Sequence, residues 1–336
     1  MFLFVVLTIV TLTKQGQRYN TTTYWLLFVL FMCVTTLRTP NLPDYENYYE
    51  YFIGNRSFER AEPGFKFYVE TLKCLITNPK NLFFAVALLS IGIKWIVIKK
   101  LSPFVYCSLL VYLSNFYILH DLIQIRAAIA SGLILWSTKY IYEQDWKRFI
   151  LISTLAVIFH YSALAVYPLW FINSKKGQKY TYISLILIAY VLALAGYRFG
   201  HLAMLIPFKS IQTLWLMYEN HMSNGIGTEI NLFNFAILLR IVFCFYILLN
   251  IEKLTHYNPI IIVWTKTYAI SIISFVLFSD IPAIAFRISE LFQVVEILLI
   301  PTILCLITHK QLNRLAIIVY SASYLCINIY YNQFIV

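Results

Sequence analysis

Five ionisable residues have types and neighbours that suit catalysis next to a membrane. They are Asp44, Glu62, Arg126, His160 and Arg287. An arginine stays charged, and its forked N–H groups suit a phosphate or a carboxylate. A carboxylate can accept the proton of an attacking hydroxyl group. The set predicts group transfer from a lipid diphosphate to a hydroxyl, with arginines stabilising the diphosphate as it leaves.

The two acids stand beside sequence features that hold them near a membrane surface. Asp44 follows an apolar run and two prolines in Arg38-Thr-Pro-Asn-Leu-Pro-Asp44, and prolines prevent a helix from continuing. Glu62 opens Glu62-Pro63-Gly64, just before a stretch with helical periodicity. Each is a candidate base. Asp44 is equally an ordinary loop acid, and Glu62 is equally an acid that interacts favourably with a helix N-terminus.

Arg126 and His160 stand within or beside apolar runs. Arg126 precedes Ala127-Ala-Ile-Ala130, whose small side chains let helices approach closely. Arg126 is a candidate phosphate ligand, or it forms a structural salt bridge with Asp121 or another acid. His160 follows Ala156-Val-Ile-Phe159 and is either a hydrogen-bonded core residue or a group that faces the same site.

Further candidates for substrate contacts accompany these five residues. Arg287 lies three residues before Glu290, so the two either pair with each other or bind substrate. The full set of predicted substrate-binding residues is Arg38, Tyr48, His120, Asp121, Gln124, Arg198 and Glu290. The sequence contains no metal-binding or phosphate-cradling motif, which favours a site without a metal or a cofactor.

The composition predicts that lipid solvates much of the chain. The 336 residues are 60% hydrophobic and 12% charged, about half the charged fraction of a soluble domain. The mean hydropathy is +0.73. The net charge of +11 comes from basic residues in short segments between apolar runs, as in membrane loops, which argues against nucleic-acid binding. Residues 1–13 lack a basic n-region and a cleavage site, which favours a retained span over a signal peptide.

The apolar runs predict an all-α polytopic membrane protein, because strand-type alternation is absent. The candidate spans are Met1–Thr13, Thr21–Leu37, Asn81–Ile98, Leu101–Leu119, Leu122–Tyr142, Phe149–Ile172, Tyr180–Tyr197, Ile230–Asn250, Pro259–Phe278, Ala283–Thr308 and Leu315–Tyr330. Without repeats or linkers, residues 1–336 predict one membrane domain. Its external loop, residues 38–80, carries an amphipathic surface helix over Phe65–Thr77, and residues 200–229 form a second external loop.

The distribution of charge predicts the topology. If residues 149–172 form a short hairpin with its apex at His160, the inner loops hold 13 basic and three acidic residues, and the outer side holds 10 basic and 11 acidic residues. In the alternative, these residues form one full span and residues 201–218 form another. The excess of basic residues in the inner loops over those in the outer loops then disappears. The hairpin is preferred, and it places the unusual polar residues on the outer side.

Four blocks together resemble the EpsG-type polysaccharide polymerases, which are Wzy-like O-antigen and capsule polymerases. The blocks are Leu37-Arg38…Asp44-Tyr45…Tyr48, Glu62-Pro63-Gly64-Phe65, Gln124-Ile125-Arg126-Ala127-Ala128-Ile129-Ala130 and Phe159-His160-Tyr161-Ser162-Ala163-Leu164, with a looser match at Phe286-Arg287-Ile288. The resemblance implies a GT-C-like glycosyltransferase fold with about 10–12 transmembrane helices. It also implies a bacterial cytoplasmic (inner) membrane location, with the active site facing the periplasm or exterior.

The resemblance further implies that undecaprenyl-diphosphate-linked oligosaccharide repeat units are joined into O-antigen (lipopolysaccharide) or capsule chains. By this carry-over Asp44 or Glu62 is the base, Arg126 and Arg287 contact the diphosphate, and His160 supports them. The implied partners are the lipid-linked oligosaccharide, membrane lipid, a chain-length regulator and a flippase. Two alternatives from other classes stay open, namely a transporter or flippase of lipid-linked sugars and a membrane O-acyltransferase.

Overall fold

The computed structural model describes residues 1–12, 20–55, 62–197, 216, 220, 230–306 and 310–331, and these residues form helices without β-strands. The all-α prediction is thereby confirmed for this part of the chain. The chain divides into two compact units, one made of Met1–Ile172 with Val294–Val336 and the other of Asn173–Gln293. The single membrane domain expected from the sequence stays a prediction.

The first unit begins with eight helices. In chain order they are α1 (Phe2–Leu12), α2 (Thr21–Thr36), α3 (Tyr45–Ile53), α4 (Pro63–Lys73), α5 (Lys80–Leu101), α6 (Val105–Val111), α7 (Ile125–Glu143) and α8 (Trp146–Phe159). Local signals define several ends. The side chain of Asn20 accepts hydrogen bonds from the N–H groups at the start of α2, and Asp145 does the same for α8.

The second unit contains α9 (Lys179–Leu194), α10 (Phe235–Leu249), α11 (Ile251–Tyr257), α12 (Ile261–Leu277) and α13 (Pro282–Gln293). Within this unit α12 packs against α9, α10 and α13. The chain then returns to the first unit with α14 (Glu296–Leu299), a 3₁₀ segment (Ile300–Cys305) and α15 (Lys310–Cys326).

Several of these helices have the length and composition of membrane spans. Among the described residues, Lys80–Leu101, Val105–Ile123 and Pro282–Cys305 qualify, and α10 with α11, bent by 72°, would add a fourth as one broken span. With its 22 residues α5 is about 33 Å long, enough to cross a hydrocarbon core of about 30 Å. The chain is therefore a membrane protein. The count of 10–12 transmembrane helices stays a prediction.

The predicted external segment contains two helices where the sequence analysis expected one. The predicted surface helix is α4, which buries Phe65 and Val69 and leaves Phe67 76% exposed. The unpredicted helix is α3. It ends at a turn, where Gly54 adopts φ 85°, a left-handed conformation that glycine allows at little cost.

Two abrupt chain reversals shape the side of the first unit where the candidate residues lie. After α6 the chain continues as a wide π-helical segment, Tyr112–Ile123, and α7 starts two residues later, with Gln124 between them. Similarly, α8 stops at His160, and a 3₁₀ segment, Tyr161–Phe171, runs back along it. Both reversals are made without a loop, so their ends are fixed by helix packing.

Ring and hydroxyl contacts show that the second reversal is an antiparallel hairpin. The rings of Phe149 and Trp170 are 5.3 Å apart, and the hydroxyls of Thr154 and Tyr167 are joined by a 2.8 Å hydrogen bond. Both pairs are centred near His160, which adopts an extended conformation at the turn (φ −156°, ψ 112°). Its placement at the outer side of a membrane stays a prediction.

Candidate active site

Three of the five predicted catalytic residues meet in the first unit around the carboxylate of Glu62. Nη1 of Arg126 donates to Oε2 at 2.5 Å, and Nδ1 of His160 lies 3.1 Å from Oε1. The main-chain N–H of Tyr161 adds a longer contact to Oε1 at 3.4 Å. The Glu62 side chain is 5% exposed, against 25% for Arg126 and 13% for His160. The enclosed carboxylate of Glu62 thus contacts Arg126 and His160, whose side chains are partly exposed.

Three helix ends bring these side chains together. Glu62 directly precedes α4, Arg126 lies in the first turn of α7, and His160 follows the last residue of α8. Helix α8 packs against both α4 and α7. The approach of α4 to α8 depends on Gly64, because a Cβ there would overlap Cγ2 of Ile158 and lie 2.9 Å from its main-chain oxygen.

The structure shows which groups the side chain of Glu62 contacts. Its side chain makes no capping hydrogen bond to α4, although it occupies the N-cap position. The carboxylate instead points to Arg126 and His160. Burial alone would raise the pKa of Glu62, but the hydrogen bond from His160 and the charge of Arg126 outweigh burial and lower this pKa to about 2. Glu62 is ionised throughout the physiological range.

Tyr48 extends the cluster to a second arginine. Its hydroxyl accepts a hydrogen bond from Nε of Arg126 at 3.4 Å and also interacts electrostatically with Arg38. Burial raises the pKa of Tyr48, so its hydroxyl stays protonated at neutral pH. Arg38 lies over the ring of Phe83, 4.4 Å from its centroid. Burial lowers the pKa of Arg38 to about 10, which leaves the guanidinium cationic near pH 7.

Asp44, the other candidate base, has a different environment. It is exposed and adopts a left-handed backbone conformation with φ 61° just before α3. Its carboxylate accepts a 3.1 Å hydrogen bond from the side chain of Asn47. Asp44 is therefore an accessible acid whose contacts are local, and its catalytic role stays a prediction.

Asp121, a predicted substrate ligand, is enclosed by protein groups. Its carboxylate receives hydrogen bonds from Nζ of Lys94 at 2.8 and 3.0 Å, from Ser90 at 2.7 Å and from Tyr112 at 2.7 Å. The side chains of Lys94 and Asp121 are both 0% exposed. The salt bridge considered between Asp121 and Arg126 is replaced by two others, Asp121–Lys94 and Glu62–Arg126. An acid in this position can orient its neighbours more readily than contact a substrate.

The residues on either side of Asp121 differ in exposure. His120 is fully buried beside the ring of Phe116, and among the described residues neither ring nitrogen has a hydrogen-bond partner. Gln124 is half-buried at the reversal, two residues before Arg126. Their predicted contacts with substrate remain predictions.

The second unit holds two other predicted residues. Arg287 is exposed and Glu290 half-buried on α13, and their roles stay predictions. Arg198 lies outside the described residues, as does nearly all of the second external loop predicted at 200–229.

Two further functional candidates, Lys94 and Glu296, were not singled out from the sequence. Glu296 is fully buried and accepts hydrogen bonds from Asn115 at 2.5 Å and Tyr320 at 3.1 Å. A usable signal existed for both, because an ionisable residue inside a predicted span requires a polar partner on a neighbouring span.

Comparison with known proteins gives a single result. The family model described as the EpsG family matches residues 21–336, which include every predicted site residue. No curated protein and no solved structure matches the chain.

Proposed function

The chain belongs to the EpsG family, and from that premise we propose that it is a membrane glycosyltransferase that polymerises polysaccharide. In this proposal undecaprenyl-diphosphate-linked oligosaccharide repeat units are joined into O-antigen or capsule chains at the outer face of the bacterial cytoplasmic membrane. The scaffold would be GT-C-like. The observation that carries the proposal is the Glu62 cluster, in which one carboxylate holds Arg126 and His160 at the meeting of three helix ends.

The charges of the cluster favour an anionic ligand. Glu62 contributes one negative charge, while Arg126 and the neighbouring Arg38 contribute two positive charges. Arg126 is 25% exposed and contacts both Glu62 and Tyr48. A guanidinium has five N–H donors in a fork that suits phosphate oxygens. A diphosphate that departs from a sugar would gain most from them, since its charge grows as the bond breaks.

The geometry favours His160 as the base. Both oxygens of Glu62 are engaged, and its pKa of about 2 makes it a weak proton acceptor near neutral pH. His160 directs Nδ1 to Glu62, which favours the tautomer with the proton on Nδ1. Nε2 then carries the lone pair and has no hydrogen bond to the described residues. Glu62 would orient the imidazole as carboxylates do in other acid–histidine pairs.

The proposed reaction follows from these roles. Nε2 of His160 takes the proton of the acceptor sugar's hydroxyl group while the oxygen bonds to the anomeric carbon of the donor. The bond from that carbon to the phosphate oxygen breaks, and its electron pair leaves with the lipid diphosphate, whose charge Arg126 and Arg38 stabilise. The products are one longer lipid-linked chain, one lipid diphosphate and a protonated His160, which then releases its proton.

The test is polymerisation by the purified protein in proteoliposomes supplied with a defined lipid-linked repeat unit. The wild type is expected to produce long chains, resolved as a ladder by electrophoresis. His160→Gln keeps a polar side chain but cannot serve as the base, and we expect a rate loss of about 10²-fold or more. The matched control is His256→Gln, at an exposed histidine of α11, and it should polymerise normally.

A second pair of variants tests the arginine. Arg126→Lys keeps the positive charge but loses the fork, so turnover should fall steeply, whereas Arg148→Lys at the largely exposed start of α8 should have no effect. Full-length ladders from both His160→Gln and Arg126→Lys would refute the assigned roles. Movement of intact lipid-linked repeats across the bilayer without chain growth would favour a flippase. Loss of polymer acylation alone on deletion would favour an acyltransferase.

A further inference from the structure

A closed polar network lies beneath the proposed site, within the first unit. The carboxylate of Asp121 is held by Lys94 and Ser90 of α5 and by Tyr112, the first residue of the π-helical segment. The Lys94 ammonium also lies 5.6 Å from the centre of the Tyr112 ring. Ser90, Lys94, Tyr112 and Asp121 are all buried, with exposures of 0–2%. The carboxylate has no path to substrate in this arrangement.

The main chain connects this network to both arginines of the proposed site. The carbonyl oxygen of Asp121 accepts a hydrogen bond from Nη2 of Arg38 at 3.2 Å. Arg126 follows Asp121 by five residues and lies just past the end of the π-helical segment at Ile123. Displacement of Asp121 would therefore move one arginine by a direct hydrogen bond and the other through the backbone.

Helix α7 also lies close to this lysine and to its neighbour Ile93. A Cβ at Gly132 would lie 3.2 Å from Cγ of Lys94, so α7 approaches the aliphatic part of that side chain closely. Lys94 thus joins α5, the π-helical segment and α7. Wide π-helical turns are rare and frequently occur at functional sites, and an unpaired charge at this depth would be costly. The Lys94–Asp121 ion pair is therefore placed where it can stabilise the otherwise unfavourable π-helical segment.

We propose that Lys94 and Asp121 are positioning residues that set the separation of Arg38 and Arg126, and thereby the affinity for the diphosphate group of the lipid-linked donor. The inference rests on the proposed function and extends it to residues that contact no substrate. Binding of the diphosphate should depend on this pair more than proton transfer does, because His160 is held by Glu62 and not by the network.

Two mild variants test the proposal without removing a charge. Tyr112→Phe and Ser90→Ala each delete one hydrogen bond to Asp121 and leave the ion pair in place. Each should raise the donor KM about five- to tenfold, the equivalent of one hydrogen bond, and lower kcat as well, because the same two arginines stabilise the diphosphate as it leaves.

The matched controls are Tyr24→Phe and Ser137→Ala. Tyr24 donates to the carbonyl of Trp95, next to Lys94 on α5, and Ser137 donates to a carbonyl of its own helix. Both are buried hydroxyls that do not touch Asp121. Their donor KM should equal that of the wild type.

A binding measurement separates this inference from the proposed function. The probe is farnesyl diphosphate, titrated into the purified protein in detergent, and the expected changes in Kd match those in KM. If the wild type binds the probe and the variants weaken it while no polymer forms, the proposed function fails and the inference stands. The inference is overturned if Tyr112→Phe and Ser90→Ala have the same KM and Kd as the two control variants, or if they lose only kcat. This holds even if the wild type polymerises.

A double variant excludes a purely stabilising role. Lys94→Met alone leaves a buried carboxylate without its cation and should unfold readily, whereas Lys94→Met with Asp121→Leu replaces the pair by apolar groups. We expect the double variant to regain stability but to keep a donor KM raised about tenfold or more, because the link to Arg38 is no longer fixed. Recovery of both stability and the wild-type KM would show that the pair only stabilises the fold.

Discussion

Two carboxylates of the first unit, Glu62 and Asp121, have opposite surroundings. Asp121 is paired with one lysine, receives its other hydrogen bonds from neutral hydroxyls, and is shut off from solvent together with that lysine. Glu62 is paired with Arg126 and His160, which keep 25% and 13% of their side-chain surface exposed. One cluster is balanced and closed. The other is partly exposed through Arg126 and His160 and is open.

The difference indicates what each cluster can do. Removing two charges from water costs several kcal/mol for each ion, so a closed pair persists only with complete hydrogen bonding, and its best-attested use is to fix one arrangement of helices. An open cluster with surplus positive charge can still bind an anion. Substitutions in and around the two clusters test this contrast.

The largest effect is expected for Glu62→Gln. The amide cannot neutralise Arg126 or select the Nδ1-protonated tautomer of His160, so polymerisation should slow by about 10²–10⁴-fold. The measurement is the initial rate of chain growth in proteoliposomes. Glu70→Gln, on the same helix, changes only a surface pair with Lys73 and serves as the control. A fall of less than tenfold in the rate of chain growth would contradict the role assigned to Glu62.

The closed cluster should show its effect in stability. Lys94→Met leaves the buried Asp121 without its cation, and we expect the free energy of unfolding to fall by about 3–5 kcal/mol. The comparison is Lys266→Met in the second unit, where the ammonium is bonded to two neutral oxygens, of Asn173 and Gln178. That variant leaves no buried carboxylate unpaired, so its free energy of unfolding should fall by less. Unfolding in detergent measures the stability of both variants. Equal losses in the free energy of unfolding would contradict the contrast between the two clusters.

Acid should weaken the open cluster. The pKa of Glu62 is about 2 in the folded protein against an ordinary value of 4.5, so its contribution to stability is fully present above pH 4.5 and is lost as the pH falls towards 2. The shift corresponds to about 3 kcal/mol at neutral pH. The difference in Tm between the wild type and Glu62→Gln should therefore shrink from pH 6 to pH 2. A constant difference would show that Glu62 is not held as a carboxylate by its neighbours.

The sequence identified the open cluster better than the closed one. Glu62, Arg126 and His160 were each singled out because a charged or polar residue beside a predicted span boundary stands out against apolar neighbours. Their contacts with Glu62 could not be predicted, because residues 64 and 98 positions apart meet only through the packing of three helix ends. Glu62 was therefore considered a base or a helix cap, whereas it pairs with both other residues.

Lys94 shows what the charge count overlooked. The count assigned basic residues to inner or outer loops, and Lys94, in the middle of an apolar run, belonged to neither. Ser90 lies four residues earlier, on the same helical face, and Asp121 comes two residues after the end of the next predicted span, Leu101–Leu119. A requirement that every ionisable residue in a span have a partner would have suggested the pair.

The external segment gives a similar lesson about periodicity. Tyr48 was predicted to contact the substrate, and in the structure Tyr48 and Tyr51 are buried, at 3% and 6% exposure. Tyr45, Tyr48 and Phe52 follow the spacing of one helical face, which the intervening acids obscured. Tyrosine alone could not distinguish a stacking surface from a helix that packs inward.

A moderate effect is expected where α4 meets α8. Gly64→Ala would place a methyl group against Cγ2 and the main-chain oxygen of Ile158, so α4 must shift and carry Glu62 with it. We expect a loss of about 1–3 kcal/mol in stability and a fall in activity. Gly92→Ala is the control, because nothing lies within 4 Å of the added Cβ. If both variants have the same Tm and activity, the position of Glu62 does not depend on this approach.

The smallest effect is expected for Asp44→Asn, which tests the base directly. Asparagine tolerates the left-handed φ of 61° at this position and keeps an oxygen that can accept from Asn47, so the backbone should be unchanged. The substitution removes only the basicity of the side chain. If His160 is the base, the rate of polymerisation should stay within about twofold of the wild type, whereas a base at Asp44 requires a loss of at least about 10²-fold. The same assay on Glu62→Gln and His160→Gln then divides the roles, since only the residue that accepts the proton, and the acid that orients it, can give losses of that size.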